Sequence, residues 1–348
     1  MAILDEIARR GRAVLNSAPV ARFRQLSRRR AFRLGMNLAI LCLILGFLAY
    51  ALYANWAEVR QYEWTLDYRY LLLAGGVYGL CFLSVMLGWH RVMASLGGMA
   101  SLRVNARIYC YSSLPKRIPG VVWYIASRVH FYRQEQVSGS ITMLATGLET
   151  GLLIVSGLLV YLGSLLFRVS TRSAENLSPL VAALLLAPLL VLLHPAVFNR
   201  AVGFLLRKLR RQVEVSLTGR QSAGLVLLYV PAWILGGLDL YLLANAIYPV
   251  SFDHLPAVVG AWAASGAVSL LASFLIQGMG VTEITLAVLL SNFLPAPVAI
   301  VISIFFRILL TIGEVVWALL LAWATSGLVG LRAALHTGPP SEIPDSEE

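Results

Sequence analysis

The sequence is short of charge. Asp, Glu, Lys and Arg make up 13% of its 348 residues, against about 25% in soluble domains. With a mean hydropathy of +0.76, this excludes an ordinary soluble globular chain. Polar sequence is scarce too, its longest stretches being 1–33 and 329–348, which leaves no room for a soluble catalytic domain. Cysteine is almost missing. Cys42, Cys81 and Cys110 lie far apart in apolar surroundings, without metal-like spacing, and read as small buried hydrophobes. The five histidines include no pair spaced for zinc. There is no nucleophile–base arrangement and no phosphate-binding glycine loop. No metal or cofactor is expected, and a transporter is favoured over an enzyme. The net charge of +11 is the one property that points towards nucleic acid. Its placement excludes that partner. Nine of the 26 arginines precede residue 34 and another group spans 200–220, both beside hydrophobic runs, where basic charge fixes membrane orientation.

What the chain does have is a series of apolar runs near 20 residues, the length that crosses a bilayer. They cover 34–54, 70–89, 140–167, 180–198, 223–247, 257–276 and 298–328. The first follows a basic segment too long for a signal peptide and reads as a retained helix. The expected fold is an all-α polytopic membrane protein, with seven or eight spanning helices and two broken or re-entrant elements. Residues 1–33 form a basic cytoplasmic arm, either a surface helix or a disordered segment. Residues 34–328 form the membrane domain, in halves near 34–198 and 223–328, and 329–348 a disordered tail. An odd span count puts the C-terminus outside and an even one inside; the sequence leaves both open. Four glycines at 75, 76, 79 and 88 point to close helix contact. Trp89, His90 and Arg91 mark the inner end of the second span.

The first broken element is 108–127. Pro115 and Pro119 interrupt the helical ladder, and Lys116 and Arg117 sit inside an apolar run, where cations are costly. Irregular backbone at such depth is tolerated only against a protein cavity. Arg128 and Arg133 follow, on what reads as the cytoplasmic side. Together the four cations suit a phosphate headgroup, while positive-inside charge alone accounts for Arg128 and Arg133. The second element, 277–297, holds Gly278, Gly280 and Glu283 and closes on Pro295 and Pro297. Gly120 and Gly280 permit close backbone approach, and Trp123 anchors the first element.

The two regions share a plan: a broken segment, a turn, then a long helix with one buried charge, Glu149 in the first and Arg307 in the second. Ser303, Arg307, Thr311 and Glu314 form one polar stripe on an apolar helix. Arg307 at membrane depth calls for an acid or a wet cavity, and Glu149 and Glu283 are the candidate acids. Either the guanidinium binds a phosphate or a buried pair locks the helices. Thr142, Thr146 and Glu149 or Thr150 form a comparable stripe. Asp239 is a weaker candidate for coupling protons or ions.

At these residues the chain resembles the lysylphosphatidylglycerol synthase transmembrane-region family of flippase-like membrane proteins. The first match is L-P-K-R-I-P-G-V-V-W at 114–123, then R-V-H-F-Y-R and Glu149. The second is G-M-G-V-T-E at 278–283, then S-N-F-L-P-A-P, Arg307 and Glu314. The resemblance covers roughly 35–330 and lends importance to Lys116, Pro119, Gly120, Trp123, Glu149, Gly278, Gly280, Glu283, Arg307 and Glu314. Pro115 stands where glycine is usual, Thr282 where arginine is common, and the proline before the second glycine pair is missing. The resemblance implies movement of an anionic phospholipid or a polyprenyl-phosphate-linked headgroup between leaflets of a bacterial cytoplasmic membrane. The aminoacyl-transferring domain of two-part members is absent, so synthesis of that lipid is not expected. Two alternatives stay open: a non-catalytic partner of a lipid-modifying enzyme or glycosyltransferase, and an intramembrane transferase acting on lipid-linked sugars.

Overall fold

The computed structural model describes residues 66–98, 100–113, 121–170, 219–276 and 280–336, with residue 53. Everything below belongs to the unit Ala51–Glu348. The N-terminal arm, the spans expected at 34–54 and 180–198, nearly all of the basic loop and the last part of the tail lie outside the described residues.

Among the described residues the chain is helical, with no strand. The elements are α1 (Tyr68–Ser95), α2 (Leu102–Ser113), α3 (Val121–Gln134), α4 (Gly139–Ser170), α5 (Gly219–Ile247), a 3-10 turn (Phe252–His254), α6 (Leu255–Ile276), α7 (Val281–Leu290) and α8 (Ala296–His336). Five of them, α1, α4, α5, α6 and α8, are long and apolar enough to cross a membrane. The protein is therefore a multi-pass helical membrane protein. Its outer surface agrees with that. Leu72, Leu227, Ile312 and Val316 are exposed, as lipid-facing residues should be, because the bilayer offers no reason to hide them. The boundary expected at 328 falls inside α8, which runs on to His336.

Each helix end has a local cause. Asp67 caps α1, its carboxylate accepting from the Arg69 N–H at 2.8 Å. Its own N–H donates to the Ala246 carbonyl at 3.0 Å, tying the start of α1 to the end of α5. Cys81 Sγ donates to the Ala232 carbonyl at 3.2 Å, so α1 and α5 run antiparallel. Gly280 caps α7 at φ +75°, a left-handed conformation suited to glycine. Pro295 accepts from the Ala299 N–H at 3.0 Å, and Pro297 sits in the first turn of α8, where its missing N–H costs no helical bond.

Packing relies on small residues where helices cross. A Cβ on Gly237 would lie 2.5 Å from Cα of Val259, and one on Gly79 2.3 Å from the Trp317 ring. Gly88 gives way to Tyr229 in the same manner, whereas Gly75 and Gly76 face open space. Close contact on α1 thus belongs to two of the four expected glycines. Two large packed clusters result, beside a small one at Leu162 and Leu165. One gathers α1–α4, with Tyr229 of α5 and Ala318 of α8, around Trp89, Tyr109 and Tyr132. The other joins α5–α8 around Leu240, Leu286, Ile302 and Phe306.

Candidate functional site

The first cluster surrounds Arg128. On α3, Tyr124, Arg128 and Tyr132 are spaced four and four, which puts them on one helical face. That face turns inward: Arg128 and Tyr132 are both 0% exposed. The guanidinium is boxed by rings, its Cζ lying 3.7 Å from the Trp89 centroid, 4.4 Å from Tyr124 and 4.9 Å from Tyr109. Desolvated contacts of this kind are worth roughly 2 kcal/mol each. Nη1 donates to Glu149 Oε2 at 2.6 Å, and Nε to Ser112 Oγ at 3.3 Å. The Tyr124 hydroxyl reaches the same carboxylate oxygen at 3.5 Å. A second chain of bonds fixes the frame. Trp89 Nε1–H donates to the Tyr132 hydroxyl at 2.7 Å, which donates to Asn105 Oδ1 at 2.5 Å. Asn105 Nδ2 meets His90 Nδ1 at 2.7 Å and donates to the Ala100 carbonyl at 3.1 Å.

This arrangement corrects the sequence reading in three ways. Arg128 is a fully buried ion-pair partner, not a charge flanking a loop. Trp89 is the floor of its box, and α1 runs past it to Ser95 instead of ending there. Glu149 pairs with Arg128, not with Arg307. Arg133 does stay exposed at the end of α3. The threonine stripe beside Glu149 is spent within its own helix: Thr146 Oγ1 donates to the Thr142 carbonyl at 2.8 Å, and Thr150 Oγ1 to the Thr146 carbonyl at 2.9 Å. Three buried polar atoms at this centre, Arg128 Nη2, Glu149 Oε1 and the Tyr229 hydroxyl, have no partner among the described residues. Tyr109, Tyr124, Tyr132 and Tyr229 were not anticipated. The i, i+4, i+8 pattern of Tyr124, Arg128 and Tyr132 is the signal that marks two of them.

The second constellation lies on α7 and α8. Arg307 Nε stands 3.2 Å from Glu283 Oε1. Glu283, in the first turn of α7, has a side chain 9% exposed, while that of Arg307 is 40% exposed. Glu283 Oε2 has no partner among the described residues. Arg307 sits near the middle of the apolar stretch Ala296–Leu321. The stripe expected on α8 divides. Ser303 and Thr311 turn their hydroxyls back to the Ala299 and Arg307 carbonyls at 2.7 and 2.8 Å. Glu314 is buried and acts electrostatically on Tyr124 of α3, so it belongs with the first cluster. Lys116, Arg117, Pro115, Pro119, Gly120 and Gly278 lie outside the described residues, as does the side chain of Trp123.

The two sites are built alike with the charges exchanged. In each, a short helix, a turn and a long helix are joined by one arginine–carboxylate pair. The arginine is on the short helix in the first and on the long helix in the second. Compared with known proteins, the chain matches no family model and no curated sequence.

Proposed function

We propose that the chain is a lipid flippase or lipid-facing transporter. It takes the anionic headgroup of a phospholipid or polyprenyl phosphate between its two broken segments and passes it across a cytoplasmic membrane, with the N-terminal arm on the cytoplasmic face. The observation that carries this reading is Arg307. A guanidinium at the centre of an apolar span costs several kcal/mol in hydrocarbon. Arg307 is nevertheless 40% exposed, with its Nε 3.2 Å from Glu283. Its terminal nitrogens form a fork suited to phosphate.

The placement of α7 supports the same reading. His254 stacks on Phe293 at 5.2 Å, and Trp262 meets Phe306 at 5.1 Å. So α6 and α8 leave one end of the bundle side by side, and α7 ends there. Its ten residues make about 15 Å of helix, half of a hydrocarbon core of about 30 Å. A re-entrant α7 would start at the depth of Arg307, which agrees with the Glu283 pair. Its first amides, without a side-chain cap, then add a favourable dipole for an anion. The charge-exchanged pairs fit an internal repeat whose halves expose the site alternately, and the resemblance to flippase-like proteins points the same way.

Lipid identification by native mass spectrometry tests this. Gently extracted wild type should retain an enriched anionic or polyprenyl-phosphate lipid, and folded Arg307→Ala should lose it. Equal retention by both overturns the role of Arg307. Bulk annular lipid alone on the wild type overturns the flippase reading in favour of an accessory protein.

A further inference from the structure

Asp239 belongs to neither ion pair. It sits inside α5, 0% exposed, and neither carboxylate oxygen has a hydrogen-bond partner among the described residues. The residues that the helix register brings to it are apolar. The register set by Asp67 with Ala246 and by Cys81 with Ala232 brings Ala74, itself 0% exposed, opposite Asp239. The contact of Gly237 with Val259 puts Ala257 and Val258 of α6 near the same level. The adjacent Leu240 and Leu243 are packed into the second cluster.

The titratable groups around it are few. On α1, the Cys81 thiol lies within the field of Asp239, and Tyr78 is turned against Gly313 of α8. Helix α6 carries no titratable side chain. On α4, Glu149 is held by Arg128, and Tyr161 lies towards Gly260 of α6. On α8, Arg307 is held by Glu283, and Glu314 acts on Tyr124. An unpaired carboxylate is not sustained in such surroundings, whereas a neutral acid is. A metal cation there would need several oxygen ligands, which this apolar neighbourhood does not offer.

We propose that Asp239 is a proton-binding site: it rests as the neutral acid and hands its proton to water when the seam between α1 and α5 opens, so that the transport cycle carries a proton as its coupling ion. The coupling rests on the transport reading above; the proton site itself does not. The step forms no other bond. The O–H bond of the acid breaks and water on one face takes the proton; the carboxylate then takes a proton from hydronium of the opposite face, re-forming the O–H bond before the seam closes again.

Infrared difference spectra of wild type minus Asp239→Asn, for the full chain in phosphatidylcholine–phosphatidylglycerol bilayers, read the site directly. Asparagine keeps the shape and the neutrality, so the variant should fold. The expected result is a carboxylic-acid C=O band in the wild type that is absent from Asp239→Asn and lost as the pH is raised. No band at any pH overturns the proposal, as does a band indifferent to pH, which would mark a fixed structural acid. Loss of the band on adding sodium at constant pH also overturns it, in favour of a metal cation. In vesicles, a pH gradient should change wild-type lipid flipping, and Asp239→Asn should lose that response. A band without a gradient effect removes the coupling and leaves the proton site. A band without any flipping removes the lipid reading instead.

Discussion

At the scale of single residues, Arg128 shows what a buried charge demands. It has a counter-ion at 2.6 Å and three rings within 5 Å of its Cζ. Removing one partner is worse than removing both. Glu149→Gln keeps the shape and leaves the guanidinium without compensation, so we expect a loss of about 3–5 kcal/mol, read as a lower Tm of the purified protein. Arg128→Met combined with Glu149→Leu removes the charge altogether and should recover most of that loss, because replacing a buried pair by apolar groups is often neutral. Tyr124→Phe keeps the ring and removes the hydroxyl that reaches Glu149 at 3.5 Å, and should cost under about 1.5 kcal/mol. If the double variant is less stable than Glu149→Gln, the pair does more than balance charge.

At the scale of elements, the helices meet through glycines, and position decides which of them matter. Gly237→Ala puts a methyl 2.5 Å from the Val259 backbone, so α5 and α6 must separate at a cost of about 1–3 kcal/mol. Gly76→Ala meets nothing within 4 Å and should stabilise α1 by roughly 0.5–1 kcal/mol. Thermal unfolding of the two variants checks the contrast. It also shows what the sequence made legible. Runs such as 223–247 and 257–276 give the helices nearly to the residue, because bilayer thickness fixes their length. Rotation about the helix axis is different. When lipid and core are both apolar, hydropathy does not tell the inward face from the outward one. Hence Gly76 and Gly79 looked equivalent, and Trp89 looked like the end of a span rather than part of a buried box. Charges fared better: Glu149, Glu283 and Arg307 stood out in apolar runs, and the short α7 ending on prolines was visible. Their pairing was half visible: Glu283 was one of two candidate acids for Arg307 and is its partner, whereas Arg128 as the partner of Glu149 was not foreseen, since partners are chosen by contacts between remote helices.

At the scale of the whole molecule, the exchanged polarity of the two ion pairs offers a way to tell a lock from the binding site proposed above. Arg128 is sealed by rings on α3 and faces Glu149 on the long α4. Arg307 is half exposed on the long α8 and faces Glu283 on the short α7. Glu283→Arg combined with Arg307→Glu would give the second half the polarity of the first. The ion pair re-forms, so the Tm should return close to that of wild type, well above either single variant. The guanidinium, however, moves from the half-exposed position to the buried one, and the exposed position becomes anionic. If Arg307 holds a headgroup as proposed, the swapped variant should lose it, and flipping in vesicles with it, although the protein is folded. Were the second pair only a lock, like the first, the swap would restore stability and transport together. Measuring Tm, retained lipid and flipping on the same preparation of the swapped variant therefore decides between them: stability without lipid places the working cation of this protein at Arg307.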